Sequence, residues 1–471
     1  MRLTFAIVVA GLAATPLAGQ QTLSAPVAQK VDAVFAKFDR PDVPGCAVGI
    51  FQNGSIAYAK GYGSANLEYG VPITPTTPFI SGSVAKQFTA AAIALLVEQG
   101  RLSLTDDVRK YIPELPNYGK PITVEHLVHH TSGLRDFWAL VRVAGMRYDD
   151  GYTAGDVIRL AARQKALNFP PGSEYDYSNT GYIALGVIVQ RVTGKSLREF
   201  AAEQIFGPLG MTSSHYHDDH TMPVRGRASA YSPTPEGDWK INIWNNDLVG
   251  QGGVMTTIVD LQKWDENFYT GKVGGPGFLA RQLQQGKLTN GTTLTYAFGL
   301  TVTQYRGLPM VEHSGSSGGY RTIITRFPSL HTSIAALCNT SDVNTTQISR
   351  RVAEAVVGSS YTAAAPAAGD GASRPPMPNP GAAPRDLTPF AGRYYSAELD
   401  ATYELVANGN ALTVRRPRGE VDTLAFAGDR SFRANGLTYR FLPNASGAAS
   451  GFAVDIGRAR GMEFRRMPAG R

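Results

Sequence analysis

The sequence predicts an α+β protein. It should hold an antiparallel sheet flanked by helices, an inserted mainly helical lobe, and a small all-β barrel or sandwich after them. Three observations predict this. Strand signals occur near the N-terminus and return at 310–338, whereas 79–265 reads mainly as helices and loops. Strands at both ends of a helical stretch imply a sheet closed by chain ends, with the cleft between sheet and lobe. Residues 359–385 are alanine, proline and glycine with almost no bulky apolar side chains, the composition of a linker. Beyond it, short β-rich runs are punctuated by Asn408-Gly409, Gly428-Asp429 and Asn435-Gly436.

Taken in order, residues 1–20 read as a secretory signal: Arg2, an apolar run too short to span a bilayer comfortably, then small residues. Gln20 stands where a lipoprotein site would need its cysteine, so the expected destination is periplasmic or secreted, without lipidation there. No later segment is a candidate membrane span, and no stable membrane insertion is expected once the signal is cleaved. The main domain is placed at 21–358. Val27, Val31, Val34 and Phe38 follow helical spacing. Asn53-Gly54 between apolar runs marks a tight hairpin. The apolar run 182–189 looks helical, and Asp342 is expected to cap a helix carrying Ile348, Val352 and Val356. The C-terminal β-domain is placed at 386–471.

The formal charge of +7 over 471 residues is modest, and lysines and arginines form no basic block. A nucleic-acid partner is therefore not expected. Cys46 and Cys338 have no metal-ligand spacing. His215, His217 and His220 fit no standard zinc pattern and read as polar loop packing; no metal or cofactor is implied.

The chemistry is carried by three short elements. Ser83 is followed three residues later by Lys86, which opens an alanine- and leucine-rich helix ending at Gly100. Residues so spaced share a helix face, with Cβ atoms about 5–6 Å apart. A serine hydroxyl needs a neighbouring base, and lysine can serve if burial or nearby charge lowers its pKa. The Ser83 N–H at the helix start is free to stabilise an oxyanion. Tyr177 and Asn179 form the second element, in a turn-rich loop. Beside a lysine ammonium Tyr177 would titrate low and act as general base and acid, and Asn179 could hold a substrate carbonyl or the lysine. His313, Gly315 and Ser316 form the third. A strand glycine lets substrate approach the edge and receive the Ser316 N–H. A decoy overlaps it: 315–319 fits Gly-x-Ser-x-Gly around Ser317, but that motif needs a helix next, and 320–327 reads as a strand.

In this order, Ser-x-x-Lys, Tyr-x-Asn and His-x-Gly resemble the motifs of the penicillin-recognising serine hydrolases. The similarity is to class C β-lactamases and their esterase, D-aminopeptidase and DD-peptidase relatives. Segments 127–134, 205–211 and 252–261 also resemble that family, and the likeness covers roughly 27–358. It implies a β-lactamase/transpeptidase-like fold, an acyl-enzyme on Ser83, and a C-terminal domain similar to accessory β-domains of some relatives. It also implies that the strands carrying Cys46 and Cys338 are neighbours, so that the two cysteines lie close; whether they are bonded stays open. His313 stands where class C β-lactamases carry a lysine that helps receive the β-lactam carboxylate; a histidine is expected to titrate there near its ordinary value, about 6.5, and so to be mostly neutral at pH 8.

The expected protein is thus an exported serine hydrolase cleaving an ester or amide, including D-amino-acid peptides. Ser83 is the nucleophile, and Lys86 and Tyr177 share proton transfer. Asn179, His313, Gly315 and Ser316 bind substrate. A β-lactamase or DD-carboxypeptidase, and a weakly catalytic binding module, are the alternatives. The partner is a small-molecule or peptide substrate, cell-wall-derived peptides included.

Overall fold

The computed structural model describes residues 22–364, 384–444 and 448–468. The expected signal segment and most of the expected linker lie outside the described residues. Helix α1 (Ala25–Phe35) buries Val31, Val34 and Phe35. Strands β1 (Cys46–Gln52) and β2 (Ser55–Tyr62) form a hairpin closed by Asn53 and Gly54. Both turn residues have positive φ, 49° and 75°, which is why the pair is Asn-Gly.

The helical lobe follows. Its principal helices are α2 (Lys86–Glu98), α3 (Phe137–Val143), α4 (Asn179–Thr193) and α5 (Ile258–Thr270). The chain then returns through β3 (Thr301–Tyr305), β4 (Leu308–Ser317), β5 (Tyr320–Phe327) and β6 (Thr332–Cys338). One six-stranded antiparallel sheet results, in the order β3-β4-β5-β6-β1-β2. Strand alternation sorts its two faces. Cys46, Val48 and Ile50 pack with α1 and the closing helix α6 (Thr345–Val357), whereas Ala47 and Phe51 join the core of the lobe. Helix α6 is capped by Asn344 rather than Asp342: the Asn344 side chain accepts from the Gln347 N–H, and Asp342 instead accepts from the Thr340 hydroxyl. Cys46 faces Cys338 in the β1–β6 register, and the two are joined by a disulfide with Cα atoms 4.0 Å apart.

The C-terminal strands close in sequence order into an eight-stranded barrel: β7 (Gly392–Ser396), β8 (Ala401–Asn408), β9 (Ala411–Arg415), β10 (Val421–Gly428), β11 (Ser431–Ala434), β12 (Leu437–Pro443), β13 (Ala449–Ile456) and β14 (Ala459–Arg466). Pairing of β7 with β14 makes it a barrel rather than a sandwich. The barrel is docked, not dangling. Leu140, Val143 and Ala144, in and just after α3, belong to its hydrophobic cluster, and Arg135 makes a buried ion pair with Glu398 at 2.9 Å. Among the described residues no helix is long and apolar enough to cross a membrane.

Candidate active site

Ser83 lies in a short 3-10 turn, Gly82–Ala85, and Lys86 is the first residue of α2. Side chains three apart eclipse in such a turn, so the two functional groups are stacked. Lys86 Nζ is fully buried and lies 3.1 Å from Ser83 Oγ, 2.9 Å from Asn179 Oδ1 and 2.6 Å from the Gln251 carbonyl. Burial holds its amine well below the ordinary lysine range; Asp136 opposes that shift and Arg458 adds to it.

Asn179, at the start of α4, is committed to the lysine. Its amide oxygen takes the Lys86 contact, while its backbone N–H and its amide nitrogen donate to Asp136 Oδ2 at 2.7 and 2.8 Å. The Tyr177 ring lies 4.7 Å from Lys86 Nζ. The expectation that Tyr177 titrates low is overturned. Burial pushes its phenol up, opposed in part by the approach of its hydroxyl to Ser83. The reason is shared: one low-dielectric site disfavours the ammonium and the phenolate alike, so the lysine charge that was to lower Tyr177 is itself suppressed. His130 supports this arrangement. Its ring packs 4.2 Å from Tyr177, and its Nδ1 accepts from the Ser178 N–H. Its position next to the tyrosine is hidden in the sequence, since only the fold brings 130 against 177.

The third element arrives on β4. A Cβ on Gly315 would stand 2.1 Å from the Ser81 carbonyl and 2.9 Å from the Ser83 nitrogen. Gly82, with φ +51°, would meet the Ser316 nitrogen at 2.5 Å. These two glycines let the strand press on the serine turn and bring the Ser83 and Ser316 nitrogens into one site. Gly82 was not singled out from sequence, although a glycine directly before the serine was a visible signal. Ser317 is excluded as nucleophile by its setting: β4 runs by a hairpin into β5, with no helix.

His313 is buried. Its Nδ1 donates to the Ser314 carbonyl at 2.6 Å, leaving Nε2 to accept from the Tyr296 hydroxyl at 3.0 Å. The expectation of an imidazole titrating near its ordinary value is overturned: burial pushes it down to about 4. A cavity of about 430 Å³ joins Ser83, Tyr177, His313, Ser314, Gly315 and Ser316. Arg321 is the cation on its wall, with Nη1 donating to the Gly318 and Tyr320 carbonyls. A cavity of about 870 Å³ lies instead between lobe and barrel, away from Ser83. The histidine group does not converge on one point: His215 faces His217 at 3.4 Å, whereas His220 bonds Asp247 at 2.8 Å.

An antiparallel sheet, an inserted helical lobe and a serine–lysine pair at their junction define the penicillin-recognising serine hydrolases. Residues 31–359 match the family described as Beta-lactamase, which is most of the chain, and the chain belongs to that family. It is 29% identical over 321 residues to the D-aminopeptidase of Gluconobacter oxydans, covering 68% of this chain and 59% of that one. It is 28% identical over 290 residues to penicillin-binding protein 4* of Bacillus subtilis, covering 59% and 64%. The chain thus spans less than two thirds of the length of either relative. The octameric penicillin-binding protein homologue of Pyrococcus abyssi has the same fold, with TM-score 0.63 over 93% of this chain and 99% of that one at 24% identity.

Proposed function

We propose that this protein is an exported serine hydrolase that cleaves esters or amides, D-amino-acid peptides among them, through an acyl-enzyme on Ser83. The observation that carries the reading is the buried Lys86 amine between Ser83 Oγ and two carbonyl oxygens. A neutral amine has two hydrogens and one lone pair. The hydrogens go to Asn179 Oδ1 and the Gln251 carbonyl, and the lone pair faces the Ser83 hydroxyl. Lys86 then removes the hydroxyl proton as Ser83 Oγ attacks the substrate carbonyl. The carbonyl oxygen becomes an oxyanion beside the Ser83 and Ser316 N–H groups, a contribution of roughly 3–4 kcal/mol per donor. Tyr177, kept as a neutral phenol, hands a proton to the leaving group and takes one back from protonated Lys86. Water then attacks the acyl carbonyl and gives a proton to the Lys86 amine; the bond to Ser83 Oγ breaks, Lys86 returns the proton to Ser83 Oγ, and the acid leaves.

The similarity to a D-aminopeptidase supports a D-amino-acid amide substrate. The buried disulfide supports an oxidising, extracytoplasmic setting. Neutral His313 does not supply the cation expected of a β-lactam carboxylate receptor; Arg321, which lines the same cavity, can hold a substrate anion. The test is intact-mass spectrometry after mixing with an activated ester and with a D-amino-acid anilide. A single acyl adduct mapping to the Ser83 peptide, absent in Ser83→Ala, is expected. An adduct elsewhere, or turnover by Ser83→Ala, defeats the reading.

A further inference from the structure

The barrel touches the active site through one turn. Gly457 and Arg458 link β13 to β14, and the Arg458 carbonyl accepts from the Asp136 N–H at 3.0 Å and the Asn168 amide at 2.9 Å. Its guanidinium lies 3.4 Å from Asp136 Oδ1, donates to the Tyr177 carbonyl at 3.4 Å and sits 5.5 Å from the Tyr177 ring centre. The Asp136 carboxylate is wholly buried, and its other oxygen is the one that receives both Asn179 nitrogens. A continuous path of polar contacts therefore runs from Arg458 through Asp136 and Asn179 to Lys86 and Ser83.

A buried carboxylate needs a counter-charge. Two basic side chains are near enough to provide it: Lys86, linked to Asp136 through Asn179, and Arg458, in direct contact with it. We propose that Arg458 is the counter-charge of Asp136, and that the barrel thereby completes the active site with a positioning residue. With Asp136 paired to Arg458, Lys86 has no counter-ion of its own and its amine stays free to act as base. The same site is insulated from other charges. Tyr177 and Tyr182 face Lys86 with their rings, Asn179 and Gln251 with carbonyl oxygens, and His130 and His313 are kept neutral by burial. Burial first, then Asp136 and Arg458 with opposite signs, set the Lys86 amine. The inference rests on Lys86 as the base.

The experiment uses the full chain. The pH profile of kcat/KM on a neutral activated ester is measured for wild type, Arg458→Ala, Arg458→Gln and Arg458→Lys, with Tm beside each. Removing the charge should leave Asp136 to stabilise protonated Lys86. The acid limb should move up by about one pH unit, with about tenfold lost below it and activity recovering toward wild type above it. Arg458→Lys should restore most of the shift. An unmoved limb with a lowered Tm overturns the proposal and leaves Arg458 as a docking contact. Failure of both charge-removing variants to fold while Arg458→Lys folds supports the counter-charge, whereas failure of Arg458→Lys as well overturns it. An active Lys86→Ala would strike the reading of Lys86 instead; an unmoved limb with inactive Lys86→Ala strikes Arg458 alone.

Discussion

The amide oxygen of Asn179 lies 2.9 Å from Nζ of Lys86, whose side chain is wholly buried. That contact orients the amine toward Ser83 without supplying a negative charge. A buried lysine so held is a cost to the fold that serves the chemistry.

Lys86→Met should therefore abolish turnover without lowering stability near neutral pH. The sign follows from linkage. The folded-state pKa of Lys86 is depressed, so the unfolded chain binds the extra proton, and wild-type stability rises with pH up to the ordinary lysine range. Urea unfolding of wild type and variant at several pH values checks this. A variant less stable than wild type at every pH would contradict it.

Tyr177→Phe should lower kcat by about a hundredfold or more with little change in Tm, the expected loss for a proton-transfer group. Its pH profile should keep the acid limb assigned to Lys86, because the phenol is pushed up, away from that range. A near-normal kcat would remove Tyr177 from the mechanism.

Preference for anionic over neutral substrates should be flat between about pH 5.5 and 8.5, the range an unperturbed histidine would divide. His313, held down to about 4, is neutral throughout it. Arg321→Gln should instead lower kcat/KM for carboxylate-bearing substrates by about twofold to fivefold, the scale of a partly exposed ion pair, and leave neutral esters untouched. Paired substrates measured across pH decide between the two residues.

Replacing both Cys46 and Cys338 with alanine should lower unfolding free energy by roughly 2–4 kcal/mol, because the bridge closes a long loop in the unfolded chain. Chemical denaturation of the purified double variant measures it. Unchanged stability would mean that the unfolded ensemble is already restricted.

The local parts of this protein are written in its local sequence. Asn53-Gly54 dictates its hairpin, alternation in β1 assigns its two faces, and the three-residue step from Ser83 to Lys86 stacks nucleophile and amine on one turn. Family likeness added the neighbouring strands that bring Cys46 to Cys338. Only the tertiary structure decided the protonation states. Tyr177 was expected to titrate low and His313 near its ordinary value, and burial moved the first up and the second down. Desolvation and distant charges set a pKa, and both are sums over groups brought together by folding, which no spacing along the chain records. The same holds for His130 against Tyr177, and for Arg458, which crosses from the barrel to Asp136. The reacting groups were legible because a helix turn places them; their charges were not, because the whole fold does.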